Sequence, residues 1–158
     1  MMNTEIGARF EKYVVGLLRR QGLAAERNLL YHKGKKRTCQ VDVESRSGII
    51  FSHRTIYECK YICVGNSLDF NRAYIQLGEA LLFTGYDDGV IVTNSIVSDR
   101  EKKERHYGMR IFDGAFLAEL RFGQAEGSLD FLVMRIDSEI RRTPYNPDID
   151  HLFRHKYL

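Results

Sequence analysis

Two acid-x-Lys triplets occur in this chain of 158 residues, Glu58-Cys59-Lys60 and Glu101-Lys102-Lys103. With 21 acidic residues available, roughly one such triplet arises by chance, so the pattern alone carries no chemistry. The second lies in a highly charged stretch and reads as a solvated helix face. The first is set in the apolar run TIYECKYICV, residues 55–64. In an extended strand Tyr57, Cys59 and Tyr61 fall on one face and Glu58, Lys60 and Ile62 on the other. Opposite charges inside an apolar strand are costly to bury unless they are paired or hold a metal. Asp42 occupies a comparable position upstream, between Val41 and Val43. Two neighbouring strands would then aim two carboxylates and an ammonium at one spot.

Such a spot suits Mg²⁺ or Mn²⁺, which take hard oxygen ligands and, for Mg²⁺, keep several waters. Asp42 and Glu58 would supply two ligands and a strand carbonyl near Cys59 a third. A metal there would acidify water and offset charge building on a scissile phosphate, with Lys60 orienting that water. The plain alternative is a cross-strand ion pair at a sheet edge. Local pattern leaves both open.

The surrounding sequence predicts the elements that would position these groups. Ile6, Phe10, Val14, Leu17 and Leu18 form one stripe of a helix over residues 4–21, which Gly22 closes. AAERNLLYH reads as a strand and HKGKKR as a basic turn. TCQVDVES is a strand that RSGIIF either continues or pairs with. Asp69 is placed to cap a helix burying Ala73, Leu77, Ala80 and Leu81. After the turn at residues 86–89, VIVTNS reads as a strand buried on both faces. SDREKKERHYG is expected to be a charged surface helix, MRIF a short strand, and GAFLAEL a small helix capped by Asp113. The order predicts an α/β fold with a central mixed sheet flanked by helices. Residues 1–123 would form the core domain and residues 124–158 an extension packed on it, partly irregular.

Composition sets wider bounds. With 44% hydrophobic residues, 28% charged and 2 prolines the chain is globular rather than disordered or fibrous. The formal charge of +3 is compatible with nucleic-acid binding without demanding it. MMNTEIGARF has no apolar core of the signal-peptide kind, and no apolar run approaches the ~20 residues that span a bilayer. The three cysteines, Cys39, Cys59 and Cys63, lack zinc-site spacing and fit a reduced protein. A soluble intracellular protein that does not contact membranes is therefore expected.

The chain resembles the Mrr-type branch of the PD-(D/E)XK, restriction-endonuclease-like superfamily. GARFEKYVVGLLRRQGL is similar to that family's first helix, QVDV to its metal-binding Asp segment, and YECKY to its acid-x-Lys strand. Gln76 in AYIQLGEALL matches a polar residue often found there, and GVIVTNSIVSDREKKERHYGMRIFDGAFLAEL resembles the closing strand-helix-strand-helix unit. The likeness runs over roughly residues 5–120. Mrr-type enzymes commonly carry Gln where Glu58 stands, and in this respect the chain is closer to archaeal Holliday-junction resolvases. It has no recognisable second DNA-reading domain.

The resemblance implies a restriction-endonuclease-like core and hydrolysis of phosphodiester bonds in DNA with Mg²⁺ or Mn²⁺. By position, Asp42, Glu58 and the Cys59 peptide would hold metal and Lys60 would assist the nucleophile. Gln76 would hold the attacking water or a phosphate oxygen, and Glu11 would stand beside the site from the first helix. A homodimer would bring two sites to opposite DNA strands. Apart from the resemblance, Lys33, Lys35, Lys36 and Arg37, in the densest cationic run, would either grip DNA phosphates without reading sequence or form an ordinary solvated turn. Thr93, Asn94 and Ser95 would either contact the substrate backbone or cap the next helix. Two rivals stand: an inactive nuclease-fold module that binds nucleic acid or a ribonucleoprotein partner, and an interaction subunit whose charges are merely paired.

Overall fold

The computed structural model describes residues 2–48, 52–62, 66, 68–86, 88–98 and 109–117. The expected charged helix after residue 98, the end of GAFLAEL and the extension at 124–158 lie outside them, as does Cys63.

The chain opens with α1, Met2–Arg20, whose stripe of Ile6, Phe10, Val14, Leu17 and Leu18 is buried as its spacing requires. Gly22, at φ 82°, takes the left-handed conformation that closes the helix. The Leu23 N–H then donates back to Leu18 O at 3.2 Å. The strands β1, Ala24–Lys33, β2, Arg37–Ser47, and β3, His53–Lys60, form an antiparallel meander. Helix α2, Phe70–Thr84, crosses over to β4, Asp88–Thr93, which lies parallel to β3. A fifth strand, β5, Met109–Phe112, lies parallel to β4. The five-stranded sheet runs β1-β2-β3-β4-β5. The expected mixed sheet flanked by helices is the fold.

Both faces of the sheet are covered. Val43, Tyr57, Val90 and Val92 pack with α1, while Val41, Ile56 and Ile91 pack with Ala73, Leu77 and Ala80 of α2. This explains why β4 is apolar without alternation. Asp69 caps α2 by accepting the Arg72 N–H at 3.0 Å, and Gly85 closes it at φ 73°. A side chain at Gly89 would come within 2.9 Å of Leu81 Cδ1, so glycine there lets α2 settle onto β4. Asp113 caps the helical turn at 114–117 through Oδ1, and its Oδ2 also accepts the Val97 N–H at 3.1 Å. Among the described residues no helix is long and apolar enough to cross a membrane.

Simple alternation fails in the first hairpin. Ala25 and Val43 belong to the α1 side, yet Leu29, Val41 and Cys39 belong to the α2 side. The phase of both strands therefore inverts between Arg27 and Leu29 and between Val43 and Val41. Asn28, at φ 55°, and Asp42 face each other at that point and interrupt the β1–β2 register. Asparagine is among the few residues that tolerate a left-handed backbone. The inversion lets one hairpin serve both layers, so Asp42 does not sit in the evenly alternating strand that its sequence predicts.

Candidate active site

The β2–β3 ladder ends at Val43 and Tyr57. Beyond that pair β2 continues only against β1, and β3 only against β4, where Glu58, Cys59 and Lys60 face Ile91, Val92 and Thr93. The sheet thus forks, and Asp42, Glu58 and Lys60 stand at the mouth of the fork. Asp42 reaches across it: its Oδ2 accepts the Cys59 N–H at 2.8 Å. This carboxylate takes the place of a strand carbonyl and ties Asp42 to the strand that carries the other two residues.

Glu58 and Lys60 follow Ile56 onto the α2 side of β3, as alternation requires. Lys60 Nζ stands 2.6 Å from Glu58 Oε1, with side-chain exposures of 28% and 12%. Strand β3 ends there, short of the predicted TIYECKYICV. Past it, the Asn94 side chain substitutes for a strand partner, accepting the Ile62 N–H at 2.7 Å and donating to Ile62 O at 3.0 Å. Asn94 therefore fixes the chain immediately after Lys60. The sequence marks Asn94 as a substrate contact or a cap, and nothing local to it reveals this longer-range role. Thr93 Oγ1 accepts the Ser95 N–H at 3.2 Å in a local turn.

The carboxylates here hold their protons more tightly than usual. Burial raises Asp42 above the ordinary carboxylate range, against the opposing pull of the Cys59 N–H and Lys60. Glu58 is raised by burial and by Asp42, with Lys60 again opposing. Glu11, half-buried on α1, is raised by burial and by Asp42, although Arg27 Nη1 donates to it at 3.3 Å. Glu11 is thus close enough to sense the fork and is not a free solvent-facing carboxylate. Three acids face two cations, Lys60 and Arg27, so the cluster keeps one negative charge in excess.

The Cys59 thiol packs toward α1, and burial pushes its proton affinity well up, so it is no ready nucleophile. Gln76 lies on α2 with a buried Oε1 that has no hydrogen-bond partner among the described residues. Lys33, Lys36 and Arg37 line a cavity against α2, whereas Lys35 is exposed at the turn.

No set of three or more His, Cys, Asp or Glu side chains among the described residues forms a group ready to hold a metal. The donor chemistry still fits Mg²⁺, which needs only one or two protein carboxylates and keeps waters for the rest. Asp42 and Glu58, both lacking a full complement of positive partners, meet that requirement.

Comparison with known proteins gives a fold and no family. No family model matches the chain, and no curated protein matches it either. Among solved structures, a protein of unknown function, AF1548, superposes with a TM-score of 0.54 at 18% identity, over 95% of this chain and 94% of its own. That likeness shows a shared fold. Two enzymes also superpose: the MspJI restriction endonuclease, in complex with a 27-mer oligonucleotide, at TM-score 0.45 and 16% identity, and the DNA modification-dependent restriction endonuclease AspBHI at 0.43 and 16%. The superpositions cover 92% and 82% of this chain but only 35% and 34% of those enzymes. Likenesses this loose assign no activity.

Proposed function

We propose that the chain is a metal-dependent nuclease that hydrolyses phosphodiester bonds in DNA at the fork between β2 and β3. The observation that carries this reading is the arrangement of Asp42, bonded across the fork to the Cys59 peptide, beside the Glu58–Lys60 pair. An ordinary ion pair would need no second buried carboxylate directed at the same place, because unmatched negative charge away from water costs free energy. A divalent cation relieves that cost. The sequence resemblance to the restriction-endonuclease-like superfamily, Mrr branch, assigns the same three residues.

In this reading Asp42, Glu58 and the Cys59 carbonyl hold Mg²⁺ or Mn²⁺. The metal supplies Lewis-acid stabilisation of the negative charge that grows on the phosphate. Asp42 keeps the two halves of the site in register through its bond to the Cys59 N–H. Lys60, whose Nζ stands 2.6 Å from Glu58 Oε1, would orient the attacking water and balance negative charge in the transition state. Gln76 offers its unpartnered oxygen to that water, and Glu11 closes the site from α1. Lys33, Lys35, Lys36 and Arg37 draw in the substrate backbone. A homodimer would present two such sites to a duplex.

The test is cleavage of plasmid, linear and four-way-junction DNA with Mg²⁺ or Mn²⁺, comparing wild type with Asp42→Ala and Lys60→Ala. Cutting by the wild type alone establishes the site, and the preferred substrate separates junction-resolving from restriction-like action. DNA binding without cutting in either metal rejects the enzyme in favour of an inactive binding module.

A further inference from the structure

Beyond the fork the arm made by β1 and β2 has lost β3 as a neighbour and stands over α2. Between arm and helix lies a cavity of about 740 Å³. Lys33, Lys36 and Arg37 line it from the arm, and Leu82 and Phe83 from α2, with Glu79 as the one acidic lining residue. Three cations against one carboxylate favour an anionic occupant. The α2 wall is apolar, however. Leu82 is 83% exposed, and Lys33 Nζ stands 5.1 Å from the centre of the Phe83 ring. An apolar and aromatic wall beside a row of cations meets the needs of one ligand class in particular. Unpaired nucleotides offer a base face for stacking and a phosphate for the cations. Duplex DNA presents phosphates too, but its base faces are hidden in the stack and cannot lie against Leu82 and Phe83.

The cavity is also placed to feed the fork. Cys39, on its lining, precedes Asp42 by three residues in β2, a strand distance of about 10 Å. We propose that this cavity binds an unpaired nucleotide of a single-stranded nucleic-acid segment. The base lies against Leu82 and Phe83, and its phosphates lie along Lys33, Lys36 and Arg37. The segment then leads to Asp42, Glu58 and Lys60. Only that last step rests on the nuclease reading. Occupation of the cavity does not require cleavage.

The chain contains no tryptophan, so Phe83→Trp places a single tryptophan in the wall, a reporter that is excited selectively at wavelengths where tyrosine does not absorb. The full chain with this substitution is titrated, in chelator, with oligothymidylate and with a duplex of equal length. Stacking should quench the reporter with the single strand at concentrations where the duplex leaves it unchanged. Adding Lys36→Glu should weaken that response about tenfold. Leu82→Ala in the otherwise native chain changes an exposed residue and does not threaten folding. It should lower affinity for a labelled oligothymidylate by about fivefold or more while sparing the duplex. Equal quenching by duplex and single strand overturns the proposal, as does oligothymidylate binding indifferent to Leu82→Ala and Lys36→Glu, or no binding of single strands at all. The cleavage assay decides the nuclease reading separately: quenching without cleavage leaves the nucleotide site standing and removes the enzyme, and cleavage without quenching does the reverse.

Discussion

The two ends of β3 both carry acids and cations, but they use them differently. At its start, Asp88 Oδ2 accepts from Thr55 Oγ1 at 3.1 Å, lies 3.1 Å from His53 Nε2, and accepts from Arg110 Nη2 at 2.8 Å. One carboxylate there has several donors drawn from β3 and β5, and it clasps the sheet. At its far end Asp42 and Glu58 lie beside Lys60 with Glu11 near Asp42, and burial raises the proton affinity of all three, helped at Glu58 and Glu11 by repulsion from Asp42. A charge matched by neighbouring donors is a structural tie. A buried cluster short of positive charge is what the proposed cation site requires, and perturbed carboxylates of this kind often accompany functional sites.

Exchanging one acid at each end should separate these roles most sharply. Asp42→Ala or Lys60→Ala is expected to lower metal-dependent cleavage by about 10²-fold or more, while Asp88→Ala leaves cleavage near wild type. In chemical denaturation the order reverses, with Asp88→Ala costing about 1 kcal/mol, mainly through the buried Thr55 hydroxyl, because His53 and Arg110 are exposed to water. Loss of cleavage on changing Asp88 would erase the distinction.

Asn94→Ala comes next, because it frees both polar groups of Ile62. It should cost about 1–3 kcal/mol and reduce the turnover rate more than substrate affinity, since Lys60 loses its anchor. Asn94→Asp keeps the bond from the Ile62 N–H but cannot donate to its carbonyl, so its effect should fall between the two. Equal effects on rate and affinity would mark Asn94 as a substrate contact instead.

The pH dependence of the metal-free protein gives a third separation. Asp42 and Glu58 bind protons more tightly folded than unfolded, so folding takes up protons. These groups favour the fold in acid, and that advantage is lost as pH rises from the ordinary carboxylate range near 4 through their raised values. Glu58→Gln should therefore raise the melting temperature at neutral pH, with the gain fading toward pH 4. Mg²⁺ should raise the neutral-pH melting temperature of the wild type and leave that of Asp42→Ala unchanged. A melting temperature that is insensitive to Glu58→Gln across this range would show the carboxylate to be already balanced.

The smallest effect concerns the hairpin inversion. Asn28→Gly should preserve stability and cleavage, whereas Asn28→Val, forced into a left-handed backbone, should cost about 1–2 kcal/mol and reduce cleavage by displacing Asp42. Valine tolerated without change in either would separate the inversion from the site.

Much of this was legible in the residues themselves. The stripe of α1 with Gly22 at its close, Asp69 at the start of α2, and the unbroken apolar run of β4 report local rules of capping, left-handed closure and burial. Those rules act within a few residues and leave their mark on spacing. The same is true of Glu58 and Lys60, whose separation of two puts them on one strand face. The fork and the inversion at Asn28 and Asp42 were not legible, because Val41 and Val43 look equivalent in a period of two. Only the packing of α1 and α2 on opposite faces sends them to different layers. Nor could spacing show that Asn94 holds Ile62, that Glu11 and Arg27 pair beside Asp42, or that Lys33 and Phe83 share a cavity. These contacts join residues far apart in the chain. Sequence determined which groups are available for chemistry and which elements carry them. Tertiary structure decided which groups meet, because only packing brings distant strands and helices to one place.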